Sequence, residues 1–268
     1  MENELGNTKI FEHYLNLEQP TDKYICTYVW IDGFGKTTRC KSRTLKYNKN
    51  QKITLKDIPQ WDCYGYITAQ PNEIMSYQYL KPVALYRDPF LKKTNKLVMC
   101  QTYDQDKNPT ILNNRDETYK LLEKYKSLEF KFGFEQEYVL IGKNKKPFKP
   151  QTGFPPELGP HYCGTGLCNA FGRAIPISHY KACLYAGISI FGINGEATPA
   201  QWEYQLGELD AVGISDQLWM SRYILERISE EFGVEVTFQP KPVPGNWCGS
   251  GGHCNFSTNE TRGIDGLE

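Results

Sequence analysis

A thirteen-residue run, EFKFGFEQEYVLI at 129–141, constrains this chain more than any other segment. Its aromatic and β-branched content predicts a strand. Side chains on a strand alternate between faces, so Phe130, Phe132, Phe134, Gln136, Tyr138 and Leu140 share one side. Lys131, Glu135 and Glu137 take the other, followed by Val139 and Ile141. The two glutamates then stand about 7 Å apart along the strand. Like charges so placed repel one another and favour a cation between them. A solvent-facing polar edge is the plainer reading of this segment taken alone.

Two later segments add groups of the same kind. In NGEATPAQWEYQLG (194–207), Gln201, Glu203 and Gln205 point one way and Trp202, Tyr204 and Leu206 the other. Glu196 precedes a break at Pro199, and a tight connection there brings it near Glu203. In GNWCGSGGHCNFST (245–258) the glycines permit close approach of backbone to a ligand. His253, Asn255 and Ser257 alternate with Cys254 and Phe256, which gives one polar strand face. Singly these are weak signals: surface carboxylates, an ordinary histidine and a loose loop. Together, four glutamates and one histidine make a ligand set for a hard, oxygen-preferring ion, magnesium or manganese rather than zinc or copper. Cys248 and Cys254 leave a thiolate site open, with packing as the plainer role. Divalent ions beside a glycine-rich loop suit the holding of phosphates during phosphoryl transfer.

The rest of the chain reads as a mixed α and β protein. Residues 8–17 put Ile10, Phe11, Tyr14, Leu15 and Leu17 near one side of a short docking helix. Residues 24–31 and 37–45 read as a hairpin, and 96–103 as a further strand. Helices are expected over 115–128 with Asn114 as cap, over 173–186 closed by Gly187, and over 216–232 capped by Ser215 and stopped by Gly233. On the last, Met220, Ile224, Ile228 and Phe232 recur at helical steps. Strands are expected at 188–197, 201–206 and 234–238, and a long loop at 143–168. Lys plus Arg and Asp plus Glu both number 31, which gives no basis for binding nucleic acid or an anionic membrane. No apolar run approaches the ~18 residues of a membrane helix. Nine scattered cysteines, an odd number, fit reduced thiols in the cytoplasm better than a disulfide framework.

The motifs FGFEQEYVL, ATPAQWEYQLG and PGNWCGSGGHCNFST, in this order, resemble the metal and nucleotide site of the glutamine synthetases of eukaryotic type. VWIDGFGKTTRCKSRTL, ALYRDPF, GPHYCGTG, HYKACLYAG and FQPKPVPGNW extend the resemblance from about residue 10 to 258. The resemblance implies an α+β fold. A small N-terminal β-grasp domain (1–105) would precede a catalytic α/β domain (106–268) with an antiparallel-rich curved sheet, its C-terminal part missing. It implies rings of subunits with sites between neighbours, and an ATP-dependent glutamate–ammonia ligase working through an acyl phosphate. Glu135, Glu137, Glu196, Glu203 and His253 match the family's ligands for Mg2+ or Mn2+. Asn246, Trp247 and Gly249 match its glutamate-binding stretch. Glu135, Glu203, Tyr204, Gln205, Asn255, Phe256 and Ser257 match its ATP-binding stretches.

The chain departs from the family in two places. Tyr64 stands where the family has an aspartate that binds and deprotonates ammonium, and a neutral phenol supplies no such charge. Asp62 is the candidate substitute. Fifteen residues follow His253, whereas the family continues with arginines and glutamates that complete the site. The alternative is therefore a catalytically dead relative that binds metal or nucleotide, or joins rings of full-length subunits.

Overall fold

In the computed structural model, residues 8–65, 67, 77–142 and 159–266 are described. They form two units: one within Gly6–Lys126 together with Tyr185–Gly187, the other within Ser127–Leu184 and Ile188–Glu268.

The first unit is a five-stranded mixed sheet ordered β2-β1-β5-β4-β3, from β1 (Lys23–Ile31), β2 (Thr38–Lys46), β3 (Trp61–Tyr64), β4 (Tyr77–Arg87) and β5 (Lys96–Tyr103). All its pairings are antiparallel except β1 with β5. The period-2 pattern of β1 sends Tyr24, Cys26, Tyr28 and Trp30 to one face, where they pack with Cys63, Leu80, Val98 and Cys100. Strand β4 escapes sequence reading because Pro82 argues against a strand interior. The ladder with β5 shifts register between Pro82 and Ala84, a bulge that accommodates the missing N–H. Helix α1 (Thr8–Leu15) leaves Tyr14 exposed; the side chains of Ile10 and Phe11 lie outside the described residues. Helix α2 (Arg115–Lys124) ends earlier than expected, followed by a 3-10 turn. Asn114 does not cap it: its backbone is helical and its side chain makes no capping bond.

The second unit is a sheet ordered β10-β6-β8-β7, with β9 also on β6, and every pairing is antiparallel. Its strands are β6 (Lys131–Ile141), β7 (Ile190–Gly195), β8 (Gln201–Leu209), β9 (Glu235–Thr237) and β10 (Gly252–Ser257). Helices α3 (Ala174–Ala186) and α4 (Ala211–Glu231) complete it. One face of β6 and β8 supplies Tyr138, Trp202, Tyr204 and Leu206 to the core, with Met220, Ile224 and Ile228 of α4. Arg222 of α4 reaches Gln136 on that same face with Nε, 3.0 Å from Oε1. Helix α4 starts five residues before the expected Asp216, at Ala211. Its cap is Asp210, which accepts from Gly213 N at 2.7 Å, while Ser215 lies inside the helix and bonds back to Ala211 O. Phe232 does not continue the buried row and is half exposed. Gly187 (φ +93°) and Gly233 (φ +64°) stand after the two helices in the left-handed region that glycine enters without strain. Part of the long loop expected at 143–168 lies outside the described residues; 159–168 is turn and coil. Among the described residues no helix is long and apolar enough to cross a membrane.

Candidate metal and nucleotide site

Register builds the site. His253 of β10 lies opposite Glu135 of β6, Glu137 opposite Glu203 of β8, and Glu203 opposite Asn194 of β7. These pairings put the side chains on the sheet face opposite the helices, in two neighbouring rows, His253 with Glu135 and Glu137 with Glu203 and Asn194. Glu196 enters from the connection after β7, whose backbone turns back so that Glu196 N donates to Gln201 O at 2.9 Å.

Glu137, Glu196 and Glu203 bring one carboxylate oxygen each to within 4.8 Å of one another. Glu137 and Glu203 are 9% and 7% exposed. Besides contacts among the carboxylates themselves, the side chains hydrogen-bonded to these three among the described residues are neutral amides. Asn194 Nδ2 lies 2.8 Å from Glu196 Oε1 and 3.3 Å from Glu203 Oε2. Gln205 Nε2 donates to Glu203 Oε1 at 2.8 Å, and Gln201 Nε2 to Glu137 Oε2 at 2.8 Å. Burial pushes the Glu196 carboxyl up to about 7, helped by its hydrogen bond to Glu203 and the charge of Glu137. Crowded, largely buried carboxylates with no cationic partner among the described residues fit a divalent cation, and all-oxygen ligation selects a hard one.

Glu135 and His253 form the adjoining part. Asn255 Nδ2 donates to Glu135 Oε1 at 2.7 Å, and His253 Nδ1 lies 3.4 Å from Glu135 Oε2. Asn255 first, then His253 and Glu203, hold the Glu135 carboxyl below its usual range. Gly251 keeps the space between the two parts open. A Cβ there would stand 3.4 Å from His253 Nε2 and 3.5 Å from Glu137 Oε1, where an ion's ligands would converge.

The remaining expected residues divide. Phe256 is 56% exposed and rests on Phe130 and Phe132, with ring centroids 5.6 and 5.1 Å away. Ser257 Oγ accepts from Arg262 Nη1 at 3.0 Å. Gln205 is tied to Glu203 and Asn194. Tyr204 points the other way, into the core, where its hydroxyl meets Ser221 Oγ at 2.8 Å. In the glutamate-matching stretch Asn246 is exposed, whereas Trp247 is buried and donates to Val243 O at 2.9 Å. Gly249 backs onto Pro240 O, 2.8 Å from where a Cβ would lie. In the other unit, Asp62 and Tyr64 sit on β3: Asp62 pairs with Lys41 Nζ at 3.6 Å, and Tyr64 meets Tyr77 edge to face.

Tyr162 was not singled out from sequence. Its proton is held by Cys163 first and then by the charge of Glu196, so the phenol belongs to the surroundings of the carboxylates. Its segment is anchored there by Cys163 N, which donates to Gly195 O at 2.9 Å. The motif GPHYCGTG carries no periodicity to announce that placement.

An antiparallel sheet backed by helices and faced with converging carboxylates, one imidazole and a glycine-rich approach makes an α+β protein whose site suits a divalent cation beside a phosphate. The family described as glutamine synthetase, catalytic domain, matches residues 113–265. The chain is 44% identical to glutamine synthetase of Rattus norvegicus over 262 residues, 97% of this chain and 69% of that protein. The Homo sapiens enzyme is 43% identical over 98% of this chain and 69% of its own length, and that of Panulirus argus 42% over 99% and 73%. This chain belongs to the glutamine synthetase family. Among solved structures, Plasmodium falciparum glutamine synthetase by cryo-EM superposes with a TM-score of 0.62 at 16% identity, and a GmaS/ADP complex with 0.63 at 14%. These share its fold, covering 94% and 88% of this chain, which spans only about half of theirs, 54% and 53%.

Proposed function

We propose that this chain works as a glutamate–ammonia ligase, using ATP to activate the side-chain carboxylate of glutamate and ammonia to displace the phosphate. The convergence of Glu137, Glu196 and Glu203 on the sheet face that also carries Glu135 and His253 is the observation that carries this reading. A carboxylate is a poor electrophile until one oxygen becomes a leaving group. Transfer of the γ-phosphoryl group to that oxygen gives an acyl phosphate and ADP. Ammonia then attacks the carbonyl carbon, the C–O bond to phosphate breaks, and glutamine and phosphate leave.

The five side chains would hold Mg2+ or Mn2+, which supplies the positive charge that lets two anions approach. Glu135, fixed by Asn255, orients the His253 ring so that Nε2 faces the gap beside Gly251. Asn246, Trp247 and Gly249 would place glutamate through the exposed Asn246 and the loop backbone. Asn255 and Ser257, on the same strand face as His253, would meet the nucleotide, and Phe256, turned to the other face against Phe130 and Phe132, would offer its exposed ring only at the sheet margin. Glu203 and Gln205 would approach the nucleotide along β8, whereas Tyr204 between them turns its side chain into the core.

The finer organisation follows the same reading. Residues 1–105 serve as a β-grasp domain with a leading docking helix, and 106–268 as the catalytic domain. Subunits assemble into rings, alone or with full-length subunits, in the cytoplasm, which suits nine cysteines that are all free thiols.

A second reading, a non-catalytic member that binds metal or nucleotide, is favoured by one observation: Tyr64 takes the aspartate's place and Asp62 is already ion-paired with Lys41. Glutamine formation from glutamate, ammonium and MgATP, measured beside nucleotide binding, separates the two. Turnover that EDTA abolishes is expected. Binding without turnover selects the second reading, and failure to bind either a divalent ion or a nucleotide overturns both.

A further inference from the structure

The buried amide of Gln201 joins three segments that the chemistry needs together. We infer that Gln201 is a positioning residue that couples the cation ligand Glu137 to the glycine loop 249–251, so that occupation of the cation site orders the glutamate-binding stretch; the inference rests on the proposed reaction.

Gln201 is 2% exposed, at the start of β8. Its Nε2 donates to Glu137 Oε2 at 2.8 Å and lies 3.3 Å from both Gly249 O and Ser250 Oγ. Its Oε1 accepts from Thr198 N at 3.2 Å, which closes the turn that carries Glu196. Thr198 in turn donates from Oγ1 to Cys248 O at 3.1 Å. The loop answers directly: Gly251 N donates to Glu137 Oε2 at 3.0 Å, and Glu137 N to Gly251 O at 3.1 Å. Glu137 Oε2 therefore receives two N–H donors, from Gln201 and Gly251. That fixes the plane of the carboxylate and leaves Oε1 toward the gap shared with His253 Nε2. Outer hydrogen bonds of this kind orient a ligand, and their loss typically lowers metal affinity about 10- to 100-fold. Because the same amide also holds Gly249 and Ser250, the penalty should appear in the loop as well as at the ion.

The test uses Mn2+ alone as probe, read by electron paramagnetic resonance, with hydrogen exchange of residues 245–252 as a second readout. Gln201→Met keeps the volume and removes the amide; Gln201→Asn keeps the amide but shortens its reach. In the wild-type chain, Mn2+ is expected to slow exchange across 245–252. In Gln201→Met, Mn2+ affinity should fall about 10- to 100-fold and the loop's response to the ion should be lost. Gln201→Asn should fall between, and it carries the test if the methionine variant does not fold. Wild-type affinity and wild-type loop protection in a folded variant overturn the inference while leaving the proposed reaction standing. An effect on stability that leaves both readouts unchanged likewise reduces Gln201 to a core residue. If the wild-type chain itself binds no Mn2+, the proposed reaction falls first and takes this inference with it.

Discussion

Two side chains of the second unit hold unusual protons, with opposite consequences. Glu196 is raised to about 7, by burial first and then by Glu203 and Glu137. An acid raised above its unfolded value binds more protons folded than unfolded, so its contribution is present below about 4.5 and is lost as pH climbs through 7. The metal-free chain should therefore lose thermal stability over that window, Glu196→Gln should lose less, and Mn2+ should restore the wild type. Scanning calorimetry from pH 4.5 to 7.5 decides this, and parallel profiles for the two proteins would refute it. His179 of α3 is the reverse case. Burial lowers it to about 4, with Nε2 near Ser221 O at 3.0 Å and its ring 4.8 Å from Tyr204. A base lowered below its unfolded value contributes stability above about 6.5 that is lost as pH falls through 4. His179→Phe should flatten the acid limb of the stability curve, at a cost near pH 7 of about 1 kcal/mol for the lost hydrogen bond to Ser221 O, a carbonyl inside α4 that keeps its helical partner. Urea unfolding at pH 5 and 7 measures both.

At the scale of elements, α4 separates what the sequence discloses from what it hides. Its buried row, Met220, Ile224 and Ile228, is plain from spacing. Its start is not, because Gly213 looks like a helix breaker, although its N–H is the donor that Asp210 needs. Asp210→Ala should therefore cost about 1 kcal/mol, and Ser215→Ala only a few tenths, in chemical denaturation. The reverse order would return the cap to Ser215. Strand β6 was readable, with its faces assigned correctly, because Phe132, Phe134, Gln136 and Tyr138 alternate with Glu135 and Glu137 before the strand runs into the apolar Val139–Ile141. What remained hidden were relations between strands. Nothing local says that Gln201 will meet Glu137 or that Asn194 will bridge Glu196 and Glu203, since those contacts are set by register and by a turn. Tyr162 was missed for the same reason: a coil residue has no period to betray its neighbours.

Across the whole molecule, the two units have separate cores, one around Tyr28 and Val98 and the other around Tyr138, Tyr204 and Met220. All five expected metal-ligand candidates lie in the second. Saturating Mn2+ at a hundredfold excess over its dissociation constant should stabilise that unit by about 2.7 kcal/mol and leave the first unchanged. Calorimetry should then resolve one transition that moves with the ion and one that does not. A single transition that moves whole would show that the units melt as one.

Strand β10 is the outermost strand of its sheet among the described residues and is laddered only to β6. His253 and Glu135 face each other across that single seam. An ion gripped by both, as the proposed reaction requires, would work as a rivet through the hem and fasten the margin of the sheet. Stripped of the ion, the hem is free to lift and offer its open backbone to a neighbouring chain, so chelation should leave the protein more prone to self-association, not merely idle.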